Sequence, residues 1–145
     1  SSSVLGLVGF PWRGSYVATK FALEGLTDVL RLEMHGTGIH VTLIEPGPIT
    51  SRIRENAIPH FERWVNWQAS PRADQYRASL LKRLYEPSGK DRFELPPRAV
   101  SDRILTALTA ANPAPRYYVT APTRISGVAR RVLPTRALDW FARRN

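Results

Sequence analysis

The chain has 145 residues, of which 43% are hydrophobic and 23% are charged, and its formal net charge is +9. This length allows one domain with a buried core. The absence of cysteine excludes disulfides and thiolate metal sites, and none of the three histidines pairs with another at metal-ligand spacing. No apolar run approaches the roughly 20 residues that span a bilayer. We therefore expect a cytoplasmic protein without a metal site.

The first third of the chain predicts two strands on either side of a long helix. Residues 1–9 are apolar and small, as at the end of a buried strand that runs into a loop. Ser15 is a suitable N-cap for a helix that continues to about His35, where a Gly-Thr-Gly stop follows. The β-branched run at 39–45 predicts a buried strand. A helix followed by a buried strand is half of a βαβ unit and implies a parallel sheet.

The rest of the chain is predicted to be mainly helical. Residues 52–95 are rich in aromatic and charged side chains and predict helices at 52–68 and 72–85, with interruptions at Pro59, Pro71 and Pro87. Two prolines open a further helix, which is predicted at 98–111. A short strand at 116–120 follows, and Pro134 separates the two last helices, predicted at 123–131 and 135–143.

Tyr16 and Lys20 form the most informative pair of residues. They are four positions apart, so a helix places them on one face, one turn from each other. A free tyrosine has a pKa near 10, and a neighbouring ammonium lowers that pKa by favouring the phenolate. Proton exchange with a substrate oxygen then becomes feasible, and a serine hydroxyl can orient the same oxygen. On residue types alone, a solvent-facing helix pair is the alternative interpretation.

The order of these features resembles the short-chain dehydrogenase/reductase superfamily. Ser3 lies thirteen residues before the tyrosine, Ala18-Thr19 precede Lys20, and the following strand runs into Pro46-Gly47. The stretch Lys20–Leu26 is especially similar to the hydroxysteroid and retinol dehydrogenase branch. The resemblance implies that Tyr16 is the general acid/base, that Lys20 lowers its pKa, and that Ser3 orients the substrate oxygen. Ser2, one position away, is the alternative serine.

The same resemblance implies a nicotinamide site after the second strand. Tyr16 and Lys20 would contact the cofactor, and the loop that holds its carboxamide would comprise Pro46, Gly47 and Ile49 together with Thr50 or Ser51. Loops at the carboxyl ends of parallel strands are where open α/β sheets bind ligands. An ordinary Pro-Gly turn is the alternative. The cofactor is expected to be NAD or NADP, and this stretch does not distinguish the two.

The expected fold is α/β, the C-terminal half of a Rossmann-like doubly wound parallel sheet. The family's Gly-rich phosphate turn and its Asn-Ala-Gly motif do not occur in this sequence, so 1–145 is expected to form one partial domain of a longer enzyme. Residues 52–95 would form a helical segment that covers the substrate. Its larger aromatic residues would line an apolar pocket or form the segment's own core: Phe61, Trp64, Trp67 and Tyr85.

The implied function is transfer of a hydride between NAD(P) and a secondary alcohol or ketone, apolar and steroid- or retinol-like. The resemblance also implies a homo-oligomer formed through the Tyr16–Lys20 helix. The alternative is a catalytically inactive remnant or a basic binding module, because the tail at 121–145 carries six arginines and one acidic residue. Apolar side chains interleave with those arginines, as in a peripheral membrane segment. Nucleic acid is disfavoured as a partner, since no recognised motif accompanies the charge.

Overall fold

The computed structural model describes residues 1–86, 89 and 91–144. They form two compact units. The first joins Ser1–Ile49 to the chain from Phe93 onward, and the second consists of the described residues of Thr50–Arg92. In chain order the elements are a 3-10 turn (Val4–Gly6), α1 (Gly14–Glu33), β1 (Leu43–Glu45), α2 (Ile53–Trp64), α3 (Ala73–Gln75), a π-helical stretch (Tyr76–Leu81), α4 (Lys82–Tyr85), α5 (Arg98–Thr109), β2 (Arg116–Tyr118), α6 (Ala121–Val132) and α7 (Thr135–Arg144).

Strand β1 is the centre of the first unit. It pairs in parallel with β2, with Leu43 opposite Arg116 and Glu45 opposite Tyr118. On the other side of β1, the N-terminal segment donates from Ser2 N to the carbonyl of Ile44 at 2.8 Å. The predicted strand at residues 1–9 is therefore present only as this short backbone contact, because the chain then tightens into the 3-10 turn. The parallel α/β arrangement that the sequence predicts is confirmed.

The sheet is covered on both faces. Ile44 faces α5 and forms the apolar core with Ala107 and Val119. Successive strand residues point to opposite faces, so its neighbour Glu45 faces the other side. On that side Arg116 contacts side chains of α1. One face is thus held by apolar packing, and the other contains buried charge.

The boundaries of several elements differ from those predicted. The helix predicted at 52–68 ends at Trp64, the one predicted at 72–85 is divided into α3, the π-helical stretch and α4, and the strand predicted at 116–120 ends at Tyr118. Helix α1 begins one residue before the predicted start and ends at Glu33, and α5 begins at the predicted Arg98. The strand predicted at 39–45 is shortened to Leu43–Glu45. The partner strand explains this, since Pro115 precedes β2 and has no N–H to extend the ladder, although its carbonyl accepts from Leu43 N at 3.0 Å.

The second unit buries the leucine side chains Leu80 and Leu84, and some of its aromatic residues contact one another or a carboxylate. The rings of Phe61 and Tyr76 lie 6.5 Å apart, and the hydroxyl of Tyr85 donates to Glu62 at 2.9 Å. Trp64 is 71% exposed. The expectation that Pro59 interrupts the chain of helices is wrong: it lies inside α2, which loses the one hydrogen bond that a proline cannot donate. Pro71 does separate α2 from α3, and Pro87 lies outside the described residues.

Candidate functional site

Tyr16 and Lys20 lie together on the first turns of α1, as their spacing predicts. The Lys20 ammonium nitrogen is 5.5 Å from the centroid of the Tyr16 ring, and it donates to the carbonyl of Ser1 at 3.0 Å. Tyr16 is 36% exposed, so its phenol is open to a ligand. An ammonium has three N–H donors, and one of them is used by the Ser1 carbonyl. The other two suit the hydroxyls of a ribose.

The N-terminal segment connects this helix to the loop after β1. Lys20 holds Ser1, Ser2 N donates to Ile44, and Val4 N donates to the carbonyl of Pro46 at 2.8 Å. Ser3 lies between these last two anchored residues. The structure therefore brings the serine segment, the helix and the start of the Pro46-Gly47 loop together, although Val4 and Pro46 are more than forty positions apart in the sequence.

The two candidate serines have different environments. Ser3 caps the 3-10 turn, and its hydroxyl accepts a hydrogen bond from Leu5 N at 3.2 Å. This side chain is half-buried, and its O–H remains available as a donor. Ser2 is only 3% exposed, and its hydroxyl has no hydrogen-bond partner among the described residues. Ser3 is the serine that a ligand can reach.

The loop after β1 is fixed by a feature that the sequence interpretation missed. A Cβ on Gly47 would overlap the hydroxyl of Thr120 and lie 2.5 Å from the hydroxyl of Thr123. These two hydroxyls are buried and lie 2.9 Å from each other. In this fold the absence of a side chain at Gly47 is therefore already required by contact with the two threonines.

The other loop residues are placed as follows. The carbonyl of Pro48 accepts from Leu95 N at 3.1 Å, and Ile49 forms a parallel bridge with Leu95. Ile49 is the last residue of the first unit, whereas Thr50 and Ser51 are exposed residues that begin the second. Pro46, Gly47 and Ile49 thus belong to the same unit as Tyr16 and Lys20.

A buried charged cluster lies beside this site and was also missed. The Arg116 guanidinium contacts three carboxylates: its Nη2 is 2.8 Å from Asp28, and its Nε is 3.2 Å from both Glu24 and Glu45. The Nε–H makes its hydrogen bond to Glu24, and neither oxygen of Glu45 has a hydrogen-bond partner among the described residues. Glu45 is fully buried, and we refer to these four residues as the Arg116 cluster.

Burial and charge shift the pKa values within the Arg116 cluster. Burial, and then the neighbouring charge of Glu24, raise the pKa of Glu45 to about 7, although Arg116 opposes this. The hydrogen bond from Arg116 lowers the pKa of Asp28 below its usual value. That same hydrogen bond is the largest cause that raises the pKa of Arg116. The cluster therefore carries a carboxyl group that titrates near neutral pH.

One signal for the cluster was present in the sequence. Tyr16, Lys20, Glu24 and Asp28 follow one another at intervals of four, so they share a stripe of α1. A glutamate inside a buried strand pattern, as at position 45, is also unusual. Arg116, the common partner of Glu24, Asp28 and Glu45, lies more than seventy positions further along the chain. No local sequence pattern connects it to these carboxylates.

Two kinds of site are not found in the described part of the chain. No group of three or more His, Cys, Asp or Glu side chains that could hold a metal ion occurs there. None of the helices described in the structure is both long enough and apolar enough to cross a membrane.

Comparison with known proteins identifies the class. The family described as "short chain dehydrogenase" matches residues 1–61. The chain is 40% identical over 139 residues to "Uncharacterized oxidoreductase YbbO" of Escherichia coli K12, which covers 96% of this chain and 45% of that protein. It is 33% identical over 123 residues to human "17-beta-hydroxysteroid dehydrogenase type 1", covering 83% of this chain and 36% of the human protein.

A third relative is a named reductase. The "NADPH-dependent 3-dehydrocapnine reductase" of Ornithobacterium rhinotracheale is 30% identical over 139 residues, which are 95% of this chain and 46% of that enzyme. The chain belongs to the short-chain dehydrogenase/reductase superfamily of oxidoreductases. It spans less than half the length of these curated relatives.

Proposed function

We propose that the protein to which this chain belongs transfers a hydride between NAD or NADP and a secondary alcohol or ketone. The observation that carries the proposal is the contact of Lys20 with both the Tyr16 ring and the serine segment. The bound nicotinamide would supply the hydride chemistry that side chains lack. Tyr16 donates a proton to the substrate oxygen during reduction and removes it during oxidation.

Lys20 and Ser3 have supporting roles in this proposal. The Lys20 ammonium lies beside the Tyr16 ring and binds the ribose hydroxyls of the cofactor. The Ser3 hydroxyl donates to the substrate oxygen and holds it near the phenol. Pro46, Gly47 and Ile49, with Thr50 or Ser51, would hold the carboxamide through backbone groups and a hydroxyl.

The substrate is proposed to be apolar and steroid- or retinol-like. The support is the hydroxysteroid dehydrogenase among the relatives, together with the similarity of Lys20–Leu26 to that branch. The described residues of the helical segment 52–95 would cover such a substrate. Phe61 already contacts Tyr76 within that segment, so Trp64, which is largely exposed, is the stronger candidate for an apolar contact.

The decisive experiment uses the complete protein as its gene encodes it. Ketones and secondary alcohols of increasing apolar size are assayed with NADH and NADPH, or with their oxidised forms. Tyr16→Phe is expected to lower kcat on the order of 10²–10⁴-fold, the usual contribution of general acid/base catalysis. Tyr117→Phe is the matched control, because its hydroxyl accepts from the backbone N–H of Ala114 and has no other hydrogen bond among the described residues. Equal activity of Tyr16→Phe and the wild type would contradict the proposal.

A homo-oligomer through α1 is proposed as the functional assembly. Four apolar side chains on this helix are exposed: Leu26, Val29, Leu30 and Leu32. Burying such side chains in a second copy is favourable, at roughly 25 cal/mol for each Å² of apolar surface. Val29→Glu should therefore dissociate the assembly in light scattering, while Glu33→Gln at the end of the same helix should leave its mass unchanged. An unchanged mass for Val29→Glu would contradict this assembly.

A second candidate function, binding to an anionic membrane surface, is supported by one observation on α6. Its apolar stripe, Ile125, Val128 and Val132, is exposed, whereas Thr123 and Gly127 on its other face are buried. The arginines of this region add positive charge beside the stripe, although Arg131 is bound to Tyr118 and Gly127. Val128→Ser should weaken binding to vesicles that contain phosphatidylserine. Equal binding to neutral vesicles would argue against this function.

A further inference from the structure

The face of α1 that carries the candidate catalytic pair continues directly into the Arg116 cluster. Lys20 and Glu24 are one helical turn apart, and Glu24 and Asp28 are separated by one more turn. Arg116 on β2 binds both carboxylates, at 3.2 Å and 2.8 Å. The position of the catalytic face of α1 relative to the sheet is therefore set by this cluster.

Glu45 connects the same cluster to the loop after β1. It is the last residue of β1, and Pro46 follows it directly. Its backbone carbonyl accepts from Val119 N at 3.1 Å, so the backbone of Glu45 is fixed to the sheet. The Glu45 side chain therefore joins α1 to the end of β1, one peptide bond before the candidate cofactor loop begins.

The charges of the cluster do not balance if every carboxyl group is ionised. The groups that face Glu45 are Glu24 and Asp28 from α1, Arg116 from β2 and, at longer range, Arg131 from α6. Ser2 from the N-terminal segment adds a buried hydroxyl to the same region, beside Glu24 and Gly6. Three carboxylates then share the Arg116 guanidinium, although Asp28 is also paired with Arg31 at 3.0 Å. Four buried oxygens have no hydrogen-bond partner among the described residues: Ser2 Oγ, Glu24 Oε1, and both oxygens of Glu45.

One proton on Glu45 would resolve much of this imbalance. A protonated carboxyl group carries no charge and gains an O–H donor. It would remove one of the three negative charges and could supply the hydrogen that an unpaired oxygen lacks. Burial of a neutral carboxyl group also costs far less than burial of a carboxylate.

We propose that Glu45 holds a proton in the functional protein and is a positioning residue. Its neutral form lets α1 pack close to β1. This packing sets the distance between the Tyr16–Lys20 pair and the Pro46-Gly47 loop. The positioning role rests on the proposed function, whereas the protonation does not. Ionisation of Glu45 places a further negative charge against Glu24 in a buried site. The repulsion separates helix from loop and weakens cofactor binding.

The direction of the pH dependence follows from the raised pKa of Glu45. The folded state keeps a proton that the unfolded chain releases at its ordinary pKa, so this group stabilises the fold most at low pH. That stabilisation is lost as the pH rises from about 4.5 to about 7. Asp28 acts oppositely, because its pKa is lowered and its contribution is lost as the pH falls below its ordinary value of 3.8.

The test compares the complete wild-type protein with Glu45→Gln, which is neutral at every pH and nearly the same shape. The melting temperature and the dissociation constants for NADH and NADPH are measured from about pH 5 to pH 8. In the wild type, affinity is expected to fall on the order of tenfold across pH 7, the equivalent of one pKa unit. In Glu45→Gln this step should be absent, and the melting temperature relative to the wild type should rise with pH.

Two further variants make the result specific. Glu33→Gln removes an exposed carboxylate from the end of the same helix, outside the cluster, and should retain the step in affinity. Glu24→Gln removes the charge that opposes ionisation of Glu45, so it should move the step to lower pH without abolishing it.

The outcomes separate the parts of the proposal. Parallel melting curves for the wild type and Glu45→Gln across the whole pH range would overturn the protonation. Different melting curves, with the same pH dependence of nucleotide affinity in both proteins, would overturn the positioning role. If neither protein binds a nicotinamide nucleotide at any pH, the proposed function and the positioning role fail together. The melting temperatures then still decide whether Glu45 carries the proton.

Discussion

The two ends of one stripe on α1 have opposite environments. At the N-terminal end, Tyr16 is exposed, and Lys20 contacts the Tyr16 ring and the backbone carbonyl of Ser1. Two turns later, the side chain of Glu24 is 10% exposed and is bound by Arg116. Both ends have charged or polar residues at the same spacing, but the first end has donors left for a ligand, whereas the second is occupied by contacts within the fold.

This difference separates residues for chemistry from residues for packing. A substitution at the exposed end should change activity while leaving stability nearly unchanged. A substitution at the buried end should change stability first.

Lys20→Met should have the largest effect on activity. Losing the ammonium removes the charge beside the Tyr16 ring and the donors for the ribose, so we expect kcat/KM to fall on the order of 10³-fold. The change in melting temperature should be small, since Lys20 makes one exposed hydrogen bond. Steady-state kinetics measures the change in kcat/KM, and thermal unfolding measures the change in melting temperature. Lys82→Met, an exposed position of the second unit, is the control.

Arg116→Met should have the largest effect on stability. It would leave buried carboxylates without their partner, and breaking a buried ion pair costs about 3–5 kcal/mol. Urea unfolding of the wild type and of Arg116→Met measures this difference in the free energy of unfolding. Arg98→Met is the matched control, because Arg98 makes a 3.7 Å surface pair with Asp102 whose loss should cost about 1 kcal/mol or less. Similar losses of stability in Arg116→Met and Arg98→Met would show that the Arg116 cluster does not stabilise the fold more than a surface ion pair does.

Gly47→Ala should destabilise the protein by about 1–3 kcal/mol, as expected for overpacking. The added methyl group would overlap the hydroxyls of Thr120 and Thr123. Gly25→Ala is a control with the opposite sign: its Cβ would meet nothing within 4 Å, and alanine in a helix interior is favoured by roughly 0.5–1 kcal/mol. If Gly47→Ala leaves the free energy of unfolding unchanged but lowers enzyme activity, the glycine is required by the approach of a ligand and not by contact with the two threonines.

Ser2→Ala and Ser3→Ala should have the smallest effects on the free energy of unfolding. The two variants should differ clearly from each other in kcat. Ser2→Ala removes a buried hydroxyl without a described partner, so stability should change by less than about 1 kcal/mol or even improve. Its kcat should remain near the wild-type value. Ser3→Ala should lower kcat on the order of 10²-fold, since it removes the donor to the substrate oxygen. The reverse order in kcat would identify Ser2 as the substrate serine.

Much of the local structure could be predicted from the sequence because its causes are local. The spacing of apolar residues and the glycines after His35 predict α1, and the four-residue interval predicts the contact between Tyr16 and Lys20. The β-branched run predicts a buried strand, and the helix–strand order predicts parallel pairing. Backbone periodicity and side-chain spacing act within a few residues, so these features do not depend on distant parts of the chain.

The remaining features were decided by tertiary contacts. The length of β1 depends on where β2 begins, and the environments of Ser2 and Ser3 depend on hydrogen bonds to Ile44 and Pro46. The need for glycine at position 47 depends on two threonines more than seventy positions away. The proton on Glu45 that we propose likewise depends on burial and on Glu24 and Arg116. Burial and long-range charge are properties of packed elements, and therefore the sequence pattern around each residue could not reveal them.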